Sequence, residues 1–188
     1  SDITFDFTQG KKMIVHRVHS EPLKVTVVDT GLNTMTGGRI KRIRAYTGNE
    51  PFFMTYGDGV CDVNIMDVLT FHKAHGKIAT LTSVNVNQRF GVLDIASDNT
   101  IRAFREKSSD DGSQINAGYM ILNPEIFDYI EGDTTVFEQE PLQRLAAEGE
   151  LKSYYHKGYW QCMDTKREKD KLEAMWASGH APWKKWVD

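Results

Sequence analysis

Two hydrophobic patterns alternate along this chain, and together they predict a mixed α/β fold. Short apolar or β-branched runs, which are typical of strands, occupy residues 12–16, 25–28, 52–56, 78–86, 115–122 and 151–156. Apolar residues spaced three and four apart predict helices, as at Ile65, Val68 and Leu69, where Gly76 ends the pattern. Residues 91–95 and 100–105 flank a turn at 96–99, which predicts a β-hairpin.

Signals for the ends of helices refine this prediction. Residues 31–38 are polar and predict a loop, and residues 39–46 predict a short amphipathic helix. Capping boxes, in which Thr and Glu stand three residues apart, occur at 135–138 and 165–168, although Pro141 would move the first helix start later. The helix after the second box is predicted to pack through its apolar residues, which are Leu172, Met175 and Trp176.

Length and composition are those of an ordinary globular protein. The chain has 188 residues, 40% hydrophobic and 26% charged, with a formal net charge of -3. We expect residues 1–188 to form one domain. The charge gives no electrostatic basis for binding nucleic acid, and no apolar run is long enough to span a membrane. Cys61 and Cys162 have no metal-binding or redox spacing, and the first residues have no secretory pattern, so we expect a reduced, cytoplasmic protein.

The tetrapeptide Gly57-Asp58-Gly59-Val60 is the most informative local motif. It follows the apolar run 52–56 and precedes a helical pattern, so Asp58 is expected at the end of a buried strand, where α/β sheets bind ligands. The glycines allow a sharp turn and the close approach of a ligand. A carboxylate there suits a hard cation such as Mg²⁺, and the alternative is a turn with a capping Asp.

A second carboxylate, Asp164, lies between the aromatic-rich run 159–163 and the last predicted helix. It could cap that helix, or it could join Asp58 on one Mg²⁺ ion. Proteins usually bind Mg²⁺ through one or two carboxylates together with phosphate oxygens and water. Spacing along the chain leaves both roles open.

Other polar groups have the chemistry of a sugar-phosphate site. Lys107 could hold a phosphate and Glu106 could accept sugar hydroxyls, although an exposed ion pair at the end of the hairpin is the alternative. Asn116 can both donate to and accept from hydroxyl groups, and Gly118 permits close approach. The glycines of the segment 36–39 could cradle an anion at a helix start.

Taken in order, the motifs resemble those of the sugar nucleotidyltransferases, in particular the glucose-1-phosphate cytidylyltransferase family, over residues 25–186. The motifs are Val28-Asp29-Thr30-Gly31, Met35-Thr36-Gly37-Gly38-Arg39, Tyr56-Gly57-Asp58-Gly59-Val60, Phe71-His72-Lys73-Ala74-His75-Gly76, Arg89-Phe90-Gly91, Glu106-Lys107, Ile115-Asn116-Ala117-Gly118, Glu138-Gln139-Glu140-Pro141-Leu142 and Met163-Asp164-Thr165. The Gly-Asp-Gly motif is shared with thymidylyl- and uridylyltransferases. The Thr-Gly-Gly-Arg loop, the His-rich helix and the tail at 181–184 point to the cytidylyl branch.

The resemblance implies a Rossmann-like α/β fold, with a mixed, mostly parallel sheet flanked by helices and a β-hairpin. It implies transfer of a cytidylyl group from CTP to glucose 1-phosphate, which gives CDP-glucose and pyrophosphate. That reaction belongs to nucleotide-sugar synthesis for surface polysaccharide such as O-antigen. The resemblance further implies Mg²⁺ as the cofactor and a homo-oligomer as the assembly.

The resemblance also implies roles for individual residues. Asp58 and Asp164 match the two Mg²⁺ ligands, and together with Lys107 they are the implied catalytic residues. The implied substrate-binding residues are Thr34, Arg39, Gly57, Glu106, Asn116 and Gly118. Among these, Gly57 would lie against the nucleotide, and Thr34 and Arg39 match a nucleotide-contacting loop that can reach a neighbouring subunit. Lys107 matches the sugar-phosphate lysine, and Glu106 and Asn116 match contacts to sugar hydroxyls.

The chain departs from the family pattern in three places. Residues 1–188 contain no Gly-Gly-x-Gly-Thr-Arg loop, which in the family follows the first strand and cradles the triphosphate. The chain thus resembles the family without its N-terminal nucleotide-binding portion, and we expect an unpaired strand edge in the sheet. Ala117 and Cys162 stand where the family commonly has Gly and Pro.

These departures leave three functional hypotheses. The leading hypothesis is a cytidylyltransferase of which these residues form the sugar- and metal-binding part. We then expect the 188 residues alone to make no CDP-glucose, while a weak site for glucose 1-phosphate remains. The alternatives are a truncated, non-catalytic protein that binds sugar phosphate or assembles with partners, and a sister enzyme that uses dTTP or UTP.

Overall fold

The fold is built on a four-stranded sheet with helices and smaller strand pairs around it. The computed structural model describes residues 3–8, 12–16, 23–85, 92–95, 101–105 and 114–186. In chain order its elements are β1 (Ile3–Asp6), β2 (Lys12–Val15), α1 (Thr36–Arg42), α2 (Arg44–Thr47), β3 (Phe52–Thr55), β4 (Gly59–Cys61), α3 (Ile65–His75), β5 (Ala79–Asn85), β6 (Val92–Ile95), β7 (Ile101–Arg105), β8 (Gln114–Leu122), a 3₁₀ helix (Pro124–Tyr129), α4 (Glu140–Ala147), β9 (Leu151–His156), β10 (Trp160–Cys162) and α5 (Lys166–Ala177).

The main sheet has the strand order β3-β8-β5-β9. Strand β8 is antiparallel to both β3 and β5, whereas β5 and β9 pair in parallel. Three strands therefore share one direction and β8 runs against them. The mixed sheet is confirmed, but two of its three ladders are antiparallel, because the reversed strand lies inside the sheet. β3 pairs with β8 alone among the described residues, so β3 is an edge strand there.

The core lies on one face of this sheet. Successive residues of a strand point to opposite faces, and in β5 Ala79 and Leu81 belong to the core while Thr80 faces α3. The core-side residues pack against the 3₁₀ helix and α4. The fully buried side chains of this cluster include Leu122, Ile126, Phe127, Ile130, Phe137 and Leu145.

Several local predictions are confirmed. Helix α3 begins after Asn64, whose side chain accepts the N–H of Met66, and it ends at Gly76 with φ 61°. Helix α5 begins with the predicted capping box, because the Thr165 hydroxyl accepts the Glu168 N–H and the Glu168 carboxylate accepts the Thr165 N–H. The hairpin of β6 and β7 and the strand at 151–156 are also found where they were predicted.

Other local predictions are wrong where long-range contacts decide the outcome. Residues 25–28 lie outside any strand, and Val25 and Val27 are exposed. Helix α1 starts at Thr36, inside the predicted loop, because the Met35 and Gly37 N–H groups donate to carbonyls of a distant segment. The helix predicted at 39–46 is interrupted at Ile43, which separates α1 from α2.

The first predicted capping box and one predicted packing residue are also wrong. The hydroxyl of Thr135 accepts the Gly132 N–H within a turn, and α4 starts later, at Glu140, with Pro141 in its first turn. In α5, Leu172 is buried as predicted, but Trp176 is 51% exposed. Within the described ranges, every helix is too short or too polar to cross a bilayer.

Candidate functional site

A short antiparallel ladder brings two distant acidic segments together. Strand β4 pairs with β10, and Gly59 stands opposite Cys162. The Met163 N–H donates to the carbonyl oxygen of Asp58 at 2.7 Å and extends this pairing by one step. Because the strands are antiparallel, the start of one and the end of the other coincide. Asp58 and Asp164 therefore lie at the same end of the ladder.

Both carboxylates line one cleft of about 340 Å³. Its wall also includes Tyr56, Gly59, Asn116, Gly118, Trp160 and Cys162. The structure thus brings together four of the residues that the sequence singled out for this site, namely Asp58, Asp164, Asn116 and Gly118. A cleft of this size suits a small ligand such as a sugar phosphate.

The two carboxylates have the properties of ligands for a hard divalent cation. Both residues are exposed, and within the part of the chain that the structure describes neither forms an ion pair. Asp164 does not cap α5, since Thr165 has that role, and Asp58 is followed by β4 rather than by a helix. Two exposed carboxylates beside an open cleft fit the preference of Mg²⁺ for oxygen ligands.

The thiol of Cys162 lies in the same wall. Burial raises its pKa to about 11, with further contributions from the hydrogen bond to Asp164 and from the nearby Glu168 carboxylate. The thiol is therefore protonated at neutral pH. Sulfur is a soft ligand that Mg²⁺ does not favour, so Cys162 packs beside Asp164 as a small neutral group.

The floor of the cleft is formed by the first half of β8. The Asn116 carboxamide oxygen accepts the Gly118 N–H at 2.8 Å, and the Trp160 indole N–H donates to the Ala117 carbonyl at 2.8 Å. Gly118 has φ +80°, and a Cβ there would stand 2.8 Å from Cδ2 of Tyr56. Glycine is required by both the backbone conformation and the close approach of the ring. These hydrogen bonds and the contact of the Tyr56 ring with Gly118 hold the floor of the cleft in one conformation.

Thr34 and Arg39 lie away from this cleft. Thr34 is buried beneath Gly31 and Gly38. The Arg39 guanidinium donates to the Thr30 hydroxyl at 2.7 Å and to the Leu32 carbonyl at 3.2 Å, so it holds its own loop. The structure does not bring these two residues to the carboxylates.

The remaining predicted residues divide in two. Gly57 is exposed next to Asp58, with no atom within 4 Å of the position that a Cβ would take. Glu106 and Lys107 lie outside the described residues.

Sequence reasoning missed Tyr56 and Glu138 as functional residues. Burial raises the pKa of Tyr56, and the hydrogen bond to Glu138 raises it further, so the Tyr56 hydroxyl stays protonated. Glu138 also accepts the Thr36 hydroxyl at 2.7 Å. Both residues belong to motifs of the resemblance, the Tyr-Gly-Asp-Gly and Glu-Gln-Glu-Pro segments, and that membership was the available signal.

A second cluster, Cys61, Asp62 and His156, has ligand atoms within 4.8 Å of one another. The Asp62 carboxylate already accepts from His156 Nε2 at 2.8 Å and from the Tyr159 N–H at 2.7 Å, and Lys185 lies 3.3 Å away. Burial opposes these donors, yet together they lower the pKa of Asp62. These donors occupy the carboxylate, so it links β9 and the C-terminal segment rather than binding a metal.

Known proteins match this chain over most of its length. The nucleotidyl transferase family profile matches residues 18–179. Glucose-1-phosphate cytidylyltransferase of Salmonella typhimurium is 50% identical over 187 residues, which is 99% of this chain and 72% of the relative. Mannose-1-phosphate guanyltransferase of Saccharomyces cerevisiae is 40% identical over 129 residues, which is 66% of this chain and 35% of the relative.

Solved structures match the fold. Apo UDP-glucose pyrophosphorylase superposes with a TM-score of 0.59 at 15% identity, and the match covers 81% of this chain. This chain spans 63% of that structure, which is less than two thirds of its length. Together with the family profile and the Salmonella relative, these findings place the chain in the nucleotidyl transferase family.

Proposed function

We propose that this protein acts in the cytoplasm as a Mg²⁺-dependent glucose-1-phosphate cytidylyltransferase, with residues 1–188 supplying the sugar and metal side of one catalytic domain. The observation that carries the proposal is the cleft itself. Two carboxylates from distant segments, neither of them in an ion pair with a described residue, line it together with Asn116. The 50% identity to the Salmonella cytidylyltransferase supports CTP and glucose 1-phosphate as the substrates.

The proposed reaction is an in-line displacement at phosphorus. A phosphate oxygen of glucose 1-phosphate forms a bond to the α-phosphorus of CTP. The bond from that phosphorus to the bridging oxygen breaks, and pyrophosphate leaves with the electron pair. No covalent bond to the protein is needed, so catalysis rests on positioning and on neutralising charge.

The residues divide this work according to their chemistry. Asp58 and Asp164 would hold Mg²⁺, and the bound ion would neutralise phosphate charge. Asn116 and Glu106 would bind sugar hydroxyls and Lys107 the sugar phosphate. Gly57 would leave room for the ligand, and Gly118 leaves room for the Tyr56 ring of the cleft wall. Thr34 and Arg39, which do not line this cleft, would contact the nucleotide bound by a neighbouring subunit.

Metal binding gives a first test. Mn²⁺, which can be followed by electron paramagnetic resonance, should bind the unmodified chain. Asp58→Asn and Asp164→Asn should each weaken Mn²⁺ binding by about tenfold or more, because each substitution removes the charge of a ligand while keeping the shape of the side chain. The matched control is Asp170→Asn, because Asp170 is an exposed carboxylate paired with Lys166. This substitution should leave the affinity for Mn²⁺ unchanged. Equal affinity in all three variants would refute the metal assignment.

Activity gives the second test. Pyrophosphate release is measured with glucose 1-phosphate, Mg²⁺ and CTP, dTTP or UTP in turn. We expect no release from residues 1–188 alone, because they contain no triphosphate-binding glycine loop. Release at about 1–10³ per second would show that this loop is dispensable. Activity with UTP or dTTP, but not with CTP, would assign the sister reaction.

A further inference from the structure

The Glu138 carboxylate joins two parts of the molecule. One oxygen accepts the Thr36 hydroxyl at 2.7 Å, and the other accepts the Tyr56 hydroxyl. Thr36 is the first residue of α1, and Tyr56 follows β3 and lines the cleft. The Thr36 hydroxyl oxygen also accepts the Phe137 N–H at 2.9 Å. Glu138 therefore connects the start of α1 to the cleft wall.

The α1 side of this junction is rigid. The Gly37 N–H donates to the Thr135 carbonyl at 2.9 Å, and the Met35 N–H donates to the Asp133 carbonyl at 2.8 Å. A Cβ on Gly38 would stand 2.6 Å from Cα of Asp133, so the two backbones are in direct contact. The segment that holds Glu138 is thus fixed against α1.

The cleft side is equally constrained. The Tyr56 N–H donates to the Gly118 carbonyl at 3.1 Å, and the Tyr56 ring lies against Gly118. The Tyr56 hydroxyl donates to Glu138, which holds the ring in this position. The Asn116 carboxamide oxygen accepts the Gly118 N–H, so the Tyr56 ring and the Asn116 side chain both contact Gly118.

We propose that Glu138 is a positioning residue for the sugar: through Tyr56 it orients the Asn116 carboxamide toward a hydroxyl group of the bound sugar 1-phosphate. The inference rests on the proposed function, since it assumes that the cleft holds the sugar. Glu138 holds the Tyr56 hydroxyl, the Tyr56 ring packs on Gly118, and the Gly118 N–H holds the Asn116 carboxamide in the cleft floor.

The chain offers a matched control for this contact. The Tyr129 hydroxyl donates to the Glu148 carboxylate, which makes a second tyrosine–glutamate pair of the same type. Neither Tyr129 nor Glu148 lines the cleft. Glu148→Gln therefore disturbs a comparable hydrogen bond without touching the proposed sugar site.

The experiment is a calorimetric titration with glucose 1-phosphate and Mg²⁺. Glu138→Gln, which keeps the shape and one acceptor, should raise Kd by about three- to tenfold, the usual value of one hydrogen bond. Glu138→Ala should raise Kd further, and Glu148→Gln should leave it unchanged. In a panel of monodeoxy glucose 1-phosphates, the analogue without the contacted hydroxyl should bind the unmodified protein and Glu138→Gln equally well.

Each other outcome overturns the inference. An unchanged Kd in Glu138→Gln, or the same loss in Glu148→Gln, removes the positioning role. An equal loss for every deoxy analogue would indicate a merely structural residue. Tyr56→Phe provides a variant that keeps the ring, and adding Glu138→Gln to it should cause no further loss. If the unmodified protein does not bind glucose 1-phosphate, the proposed function of this cleft fails first, and the inference fails with it.

Discussion

Replacing Thr80 by Val should destabilise the protein by about 2 kcal/mol, because the Thr80 hydroxyl is hydrogen-bonded to two histidines of α3. The Thr80 oxygen lies 2.8 Å from Nδ1 of His72 and 2.7 Å from Nε2 of His75. Thr80 is fully buried and His72 is 2% exposed. The hydroxyl is therefore out of reach of a water molecule that could replace it.

These contacts belong to a closed circuit of hydrogen bonds whose direction is fixed by backbone groups. The Lys77 N–H donates to Nδ1 of His75, so the His75 proton is on Nε2 and is donated to Thr80. The Asn123 amide donates to the Lys77 carbonyl, so its oxygen faces Nε2 of His72 and accepts the proton there. The Thr80 hydroxyl must then donate to Nδ1 of His72. The bond from Lys77 requires that His75 is neutral, because a protonated Nδ1 could not accept the Lys77 N–H.

The expected magnitude follows from what Val leaves behind. Val has nearly the same shape as Thr, so no cavity forms, but Nδ1 of buried His72 loses its donor. A buried acceptor without a partner costs about 1–3 kcal/mol. His75 is partly exposed, so water can take over its Nε2–H. For a protein of this size, about 2 kcal/mol corresponds to a fall of about 4–8 °C in Tm.

Thr82 provides the matched control on the same strand and the same face. It is as fully buried as Thr80, but its hydroxyl oxygen has no hydrogen-bond partner in the described part of the chain. It borders an apolar cavity of about 190 Å³ that Phe53, Ile65 and Val68 also line. Thr82→Val should therefore leave the free energy of unfolding unchanged or raise it slightly.

The effect should depend on pH in a defined direction. Burial lowers the pKa of His75, and the neighbouring His72, Lys152 and Lys77 lower it further. Below about pH 7 the unfolded state then binds more protons than the folded state. The stability contributed by neutral His75 is therefore present above the unfolded pKa of about 6.5. It is lost as the pH falls through the lower pKa of the folded state. Thr80→Val has already broken the circuit, and the difference from the unmodified protein should shrink toward pH 5.

Urea unfolding followed by circular dichroism at pH 8, 7, 6 and 5 measures these free energies. If Thr80→Val is no less stable than Thr82→Val at pH 8, the Thr80 hydroxyl does not stabilise the fold through His72. If the difference between Thr80→Val and the unmodified protein widens as the solution is acidified, the hydrogen-bond circuit does not depend on a neutral His75.

Three further predictions concern the cleft, the core and the assembly. Gly118→Ala should lower the free energy of unfolding by about 1–2 kcal/mol or more, because alanine is strained at the positive φ of this position; chemical denaturation measures this loss. The same substitution should displace the Tyr56 ring and so weaken the binding of glucose 1-phosphate, which calorimetry measures. Leu145→Ala, at a fully buried position, should cost about 2–5 kcal/mol in chemical denaturation, and a loss below 1 kcal/mol would contradict the described core. We expect an oligomer that buries Leu32 of the loop 31–39, which is 93% exposed, and light scattering that finds a monomer at all concentrations would contradict this.

Sequence alone predicted the features that depend on neighbours in the chain. The capping box at Thr165 and Glu168 and the glycine stop at Gly76 close hydrogen bonds within one helical turn, so the residue types suffice to predict them. The strand at 151–156 was found because aromatic residues such as Tyr154 and Tyr155 favour extended backbone. The chemistry of Asp58 was also visible, because glycines on both sides of a carboxylate are a local pattern.

Features that depend on distant partners were mispredicted or left open. Residues 25–28 have the composition of a strand, but a strand exists only where another backbone completes its ladder. Thr135 has the spacing of a capping box, yet its carbonyl accepts the Gly37 N–H and its hydroxyl serves a turn. In both cases a tertiary contact, or its lack among the described residues, overrides the local preference.

The cleft itself is a product of tertiary structure. The residues alone gave Asp164 two possible roles, a helix cap or a Mg²⁺ site shared with Asp58, and the resemblance favoured the second. In the structure the register of β4 on β10 brings both residues to one cleft. The local signature of Glu138 was that of a capping box, which does not form, and its contacts are instead with Tyr56 and Thr36 from two distant segments. The chemistry of each side chain can be read from the residue type alone. That Asp58 and Asp164 line one cleft depends on the pairing of two distant strands, and this pairing forms only when the whole chain folds.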